Sequence, residues 1–198
     1  MVPNETSDVF IKRTGAFTIS DTADHTVHAL RISNAAATLE VSDASLTVNA
    51  GLVHKGTLIA DDASIYIGDL QQGTGTIAIN GESTLEFGAF AKAHVTFDAD
   101  GQGTLVLDKS YLFKGNITGF GDDDTIHFKD IDFSTAHDTR TVLRYTDDGT
   151  GNGGTLLVRD SAGDVAKLAM VGHYTTDNFV MADDGSGHVA VHYHDLLV

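Results

Sequence analysis

Between residues 36 and 128 the chain returns repeatedly to one short pattern, Thr or Ser followed by apolar, polar and apolar residues, entered through Gly, Ala or Asp. Examples are Thr38-Leu39-Glu40-Val41, Ser45-Leu46-Thr47-Val48, Ser64-Ile65-Tyr66-Ile67, Thr76-Ile77-Ala78-Ile79, Thr84-Leu85-Glu86-Phe87 and Thr104-Leu105-Val106-Leu107. Such alternation predicts strands with one face inward and one outward. Taking every second strand, the first inward positions Leu39, Leu58, Ile77 and Val95 follow at intervals of 19, 19 and 18 residues, and Leu46, Ile65, Leu85 and Leu105 at 19, 20 and 20. Two interleaved ladders that share one period are what a coil demands when each turn lays its strands on those of the turn before. The reading is therefore all-β: a right-handed parallel β-helix, or β-solenoid, with about 19–20 residues per coil. An antiparallel sandwich or jelly roll also has short alternating strands, but nothing in it maintains a 19-residue ladder.

The period divides the chain. A single domain over 1–198 is expected, with an N-terminal cap or first coil over 1–35, regular coils over 36–128, and terminal coils with a C-terminal capping region over 129–198, where the pattern loosens. Composition agrees, since 21 Gly against one Pro supplies tight turns. The absence of cysteine removes disulfides, thiolate metal sites and a cysteine nucleophile. A formal charge of −16 repels phosphate backbones and anionic membrane surfaces, so nucleic acid binding is not expected, and with no apolar stretch approaching the roughly 20 residues needed to cross a bilayer neither is membrane insertion. Met1-Val2-Pro3-Asn4-Glu5 lacks the charged and apolar regions of a cleavable signal.

Several segments resemble a known group: Gly103-Thr104-Leu105-Val106-Leu107-Asp108, Phe113-Lys114-Gly115-Asn116-Ile117-Thr118-Gly119-Phe120, Asp124-Thr125-Ile126, Asp130-Ile131-Asp132-Phe133, Gly154-Thr155-Leu156-Leu157-Val158-Arg159-Asp160 and Asn178-Phe179. Over roughly residues 80 to 190 the chain is similar to the C-terminal β-solenoid modules of large secreted and surface proteins of alphaproteobacteria. Those modules sit beside adhesin-like repeats, calcium-binding repeats or carbohydrate-active domains. The resemblance implies location and architecture more than chemistry.

Four constellations bear on function. The turn around Asp122, Asp123 and Asp124 is similar to one calcium-binding nonapeptide of the repeats-in-toxin type, and closely spaced carboxylates suit Ca²⁺. The other reading is a solvated turn whose Asp side chains cap backbone amides. His188, His192 and His194 share one parity, which suits zinc or nickel, or else the wet face of a strand whose Val189, Val191 and Tyr193 point inward. Asp130, Asp132 and His137 lie close in sequence, as do Asp122 to Asp124 and His127, and either set could serve polysaccharide hydrolysis or lyase chemistry, although acidic residues this frequent also cluster by chance. Last, Asp195-Leu196-Leu197-Val198 resembles the terminal motif of substrates of type I (ABC-transporter) secretion, which makes such a transporter an expected partner.

The expectation is a non-enzymatic secreted or cell-surface module, serving adhesion or matrix, or acting as the folding and type I export unit of a larger secreted protein. Its further expected partner is an extracellular glycan or matrix. The alternative is a carbohydrate-binding or polysaccharide-degrading β-helix, which needs exposed aromatics along one face. Tyr66, Tyr111, Tyr145 and Tyr174 do not recur at the coil period.

Overall fold

In the computed structural model, which describes residues 2–194, the chain is all-β, 55% strand and 3% helical, wound into a solenoid of about six turns. Both expected ladders form, rung by rung and in parallel. Leu39 pairs with Leu58, Leu58 with Ile77 and Ile77 with Val95, and Ile19 and Ile117 extend this ladder at either end. Leu46 pairs with Ile65, Ile65 with Leu85, Leu85 with Leu105 and Leu105 with Ile126. Parallel pairing throughout this region excludes the sandwich. Apart from Ile19 at the open end, the inward members are almost completely buried, with Leu58, Ile65, Ile77, Leu85, Val95 and Leu105 at 0% exposure, so their apolar side chains form one continuous column.

The coil has a third side that the two-strand reading did not contain. His25–Ile32 and Ser45–His54 are long enough to turn a corner, and their second halves pair with Asp8–Ile11 and Leu70–Gly73. Isolated bridges continue the series, so Val9, Leu30, Leu52, Gln71, Ala91 and Phe113 form a third inward ladder. Because two of its strands run on from the first side without a break, the first and third sides belong to one ten-stranded sheet, and the second side forms a nine-stranded one.

Parallel winding starts at Asp8, so residues 8–32 are already a coil stacked on the next one and extend the regular stack N-terminal to residue 36. Corners recur with the same register. Asp43, Asp62 and Gly81 occupy equivalent turn positions at left-handed φ of 51°, 49° and 59°, directly after Ala37–Ser42, Thr57–Asp61 and Thr76–Asn80. Asp and Gly are among the residues that accept this conformation.

Beyond Thr125–Asp132 the winding stops. Val165–Val171 still joins Asn116–Thr118 in parallel, but Gly153–Arg159, Val142–Asp147, His188–Tyr193 and Phe179–Asp183 add antiparallel strands that close both sheets. The region expected to hold terminal coils is thus mostly antiparallel cap. Phe120 and Phe179 stack with ring centroids 6.1 Å apart, Tyr145 and Tyr174 pack against Phe179, and the Tyr174 hydroxyl donates to the Phe120 carbonyl at 3.0 Å, sealing the core at this end.

Candidate functional site

Acidic turns act as fasteners between coils. Asp24 Oδ1 accepts the Ser45 amide and hydroxyl at 2.9 and 2.8 Å, Asp62 Oδ1 accepts the Glu82 amide at 2.9 Å, and Asp130 Oδ2 accepts the Ser110 amide at 2.8 Å. Each bond spans 20 or 21 residues, one coil. Asp124 follows the same rule. Its side chain turns inward and its two oxygens accept the Gly103 and Gly121 amides, each at 2.9 Å. Burial pushes this carboxyl up to about 7, against the two amides, which pull it down. Asp122 and Asp123 remain exposed. Among the described residues no three His, Asp or Glu side chains form a group that could hold a metal.

The histidine face is built by the last described strand, whose Val191 and Val189 lie antiparallel to Ile126 and Phe128 and are fully buried. His188 and His192 are half-buried, His194 is exposed, and Tyr193 is half-buried. The His192 Nδ1 lies 3.0 Å from the Thr125 hydroxyl, while His188 and His127 approach Asp184 Oδ2 at 3.8 and 3.9 Å. Asp130, Asp132 and His137 do not converge. Asp130 is tied to Ser110, Asp132 is exposed, and His137 is fully exposed beside Asp138 at 2.8 Å. The four residues Asp195, Leu196, Leu197 and Val198 lie outside the described residues. No helix among the described residues is long and apolar enough to cross a membrane.

Two surface features remain. At the N-terminal end the core opens into an apolar mouth of about 210 Å³, lined by Val9, Ile11, Ile19, Leu30, Leu39 and Leu46. The strands bordering it, Asp8–Ile11 and Phe17–Asp21, are each paired on one side only. Phe10 and Ile19 stand exposed on them, the former with Lys12 over its ring at 4.4 Å. The second feature is a shallow groove of about 470 Å³ where the third side meets the second, floored by Gly75 and Gly115 and edged by Lys92, Lys114, His94 and Asn116.

Sequence reasoning missed this groove. Its signal is nevertheless present: Ala91-Lys92-Ala93-His94-Val95-Thr96 and Phe113-Lys114-Gly115-Asn116-Ile117-Thr118 are one coil apart and match in type at every position. They become visible as neighbours only when the third side is recognised. Comparison with protein-family models, with curated proteins and with solved structures gives no significant match.

Proposed function

We propose that this chain is a non-enzymatic secreted or cell-surface β-solenoid module of adhesion or matrix, built to close a stack of parallel coils. The observation that carries this reading is the difference between its ends. One end is sealed by antiparallel strands and an aromatic cluster, while the other presents two one-sided strands around an apolar mouth. Sheet edges left in this state are templates for further strands, and solenoids require a polar cap wherever they stop. The occupant that fits the open end is another parallel coil with apolar residues inward and the same side lengths. Its strands would continue the register of Val9 and Ile19. The strongly acidic composition, the cysteine-free chain and the resemblance to secreted solenoid modules support an extracellular setting.

Duplication tests the closing role directly. A second copy of residues 51–69, which runs from the third side through the second to the first and so leads in register into Asp8, inserted ahead of Asp8 should fold as an added coil, raise the melting temperature and slow hydrogen exchange in Asp8–Ile11. The same segment inserted after Tyr193 should do neither. A duplicated chain that melts no higher, or whose Asp8–Ile11 amides exchange as fast as before, overturns the reading. Cell fractionation checks location, with the chain expected in medium or at the surface and a purely cytosolic pool counting against it.

The alternative, carbohydrate binding, is favoured by one specific observation, the Lys92–Lys114 groove.

A further inference from the structure

From this groove we infer a binding site for a carboxylated sugar, a ligand whose carboxylate sits between Lys92 and Lys114 and whose hydroxyls meet His94, Asn116 and Thr74. This inference is independent of whether the open end accepts another coil.

The geometry starts from the bridge between Ala91 and Phe113, which places the next residues, Lys92 and Lys114, one rung apart on adjacent coils. The backbone holds them there: the Lys114 amide donates to the Ala91 carbonyl at 2.7 Å, and the Lys92 amide to the Gln71 carbonyl at 3.3 Å. Like charges on neighbouring rungs repel. On a chain with 28 acidic and 12 basic residues, carboxylates are abundant, yet none lines this groove and neither ammonium has a carboxylate partner among the described residues. Lys114 Nζ donates once, to the Tyr111 carbonyl at 2.7 Å, which fixes the side chain while leaving two of its three hydrogens. Two exposed lysines on adjacent rungs, with no carboxylate lining the groove beside them, can share one anion.

The rest of the groove suits a hydroxyl-rich ligand. His94 Nδ1 and Asn116 Oδ1 are in hydrogen-bonding contact across the rung, which turns the two side chains into a linked pair of polar edges. Gly115 lets adjacent coils approach here, since a Cβ would collide with the Ala93 carbonyl and the buried Phe113 ring. Gly75 and Gly115 line the groove with main chain alone, so a ligand can lie close against it. The charge of the whole molecule selects further: at −16 it repels a long, uniformly charged polyanion, whereas a carboxylate inside the groove is governed by the nearest cations. A short uronic-acid oligosaccharide meets both conditions better than nucleic acid or a densely sulfated chain.

The test is a titration of the ¹⁵N-labelled full chain with digalacturonate, with the neutral disaccharide galactobiose, a sulfated heparin disaccharide and a short single-stranded DNA run alongside. Digalacturonate should shift the amides of Lys92, His94, Gly115 and Asn116, lose affinity with rising salt, and bind at least about tenfold more weakly to the Lys92→Gln/Lys114→Gln variant. Lys109→Gln should bind as the unaltered chain does. Both variants alter exposed side chains, and an unchanged spectrum away from the groove confirms that they fold. Absence of shifts, equal binding of galactobiose, preference for the sulfated sugar or DNA, or equal binding by the double variant overturns the inference.

Discussion

Inside the third side, a chain of hydrogen bonds fixes the protonation of one histidine. His54 and Gln71 are both completely buried. The Gly56 carbonyl can only accept, so His54 Nδ1, 3.1 Å away, carries the proton, and Nε2 then accepts from Gln71 Nε2 at 2.9 Å. Gln71 Oε1 in turn accepts the Lys92 amide at 2.7 Å. Protonating Nε2 would set two donors against each other, and flipping the Gln71 amide would only move that clash to Lys92. Burial already holds the His54 pKa below its ordinary 6.5, and no charged group offsets it. The folded state therefore binds fewer protons than the unfolded state below about pH 6.5. Stability is fully present above that pH and falls as pH drops through it, by about 1.4 kcal/mol for each unit of downward displacement. Melting curves from pH 7.5 to 4.5 should show this loss, and the His54→Gln variant should show less of it. Equal slopes for the two proteins would place the acid sensitivity elsewhere. Asp124 works in the opposite sense. With a folded-state value of about 7 against 3.8, its contribution is fully present below 3.8 and is lost as pH rises through about 7. Carboxyl ¹³C shifts should give a midpoint near 7 for this residue, and a midpoint below the ordinary carboxylate range would mean that its two amide donors outweigh burial.

At the level of the strand, alternation and period made the first two sides readable without coordinates, because each strand carries its own inward and outward positions and the 19-residue spacing names its neighbour. Leu58→Ala or Ile77→Ala should each cost about 2–5 kcal/mol by leaving a cavity between coils. Ile59→Thr, one position on and half-exposed on the outer face, should stay within about 0.5 kcal/mol. Chemical denaturation measures all three, and a costly Ile59 with a tolerated Leu58 would reverse the assigned faces. The third side escaped the same reasoning because its inward positions are not uniformly apolar. Gln71 and Ala91 stand where Leu30 and Leu52 stand in earlier coils, and after Leu70–Gly73 the strand shrinks to single bridges. The acidic turns were legible as turns, but their carboxylates face two ways, toward calcium or toward amides of the next coil. Only the register shows which amides they reach, through the bonds of Asp24, Asp62 and Asp124. Asp62→Ala should lose about 1–3 kcal/mol, from the orphaned Glu82 amide and a left-handed φ that Ala resists.

Across the whole molecule, the strands of each coil pair with those of the coils before and after it, so stability is close to a sum along one axis and depends on how each end is finished. The cap resisted sequence reasoning for the same reason that it works. Its pairings join distant segments, such as Val191 antiparallel to Ile126 and Ala169 parallel to Asn116, and no local period links them. These long-range pairings cover the last inward rungs, whereas at the other end Ile11, Leu39 and Leu46 line an open mouth and Phe10 is exposed. Opening should therefore start at one end only. Native-state hydrogen exchange should find the lowest protection in Asp8–Ile11 and Phe17–Asp21, rising coil by coil to a maximum near Thr84–Phe87 and Thr104–Leu107 and staying high into Val165–Val171. A substitution at the mouth, such as Ile19→Lys, should lower protection in the first two coils while leaving the cap unchanged. Loss of the cap contact through Phe179→Ala should instead weaken protection in Thr125–Asp132 and in the neighbouring cap strands. Uniform protection along the axis, or exchange that begins in the cap, would show that the antiparallel strands do not seal the stack, and the proposed role of this chain in closing a solenoid would fall with them.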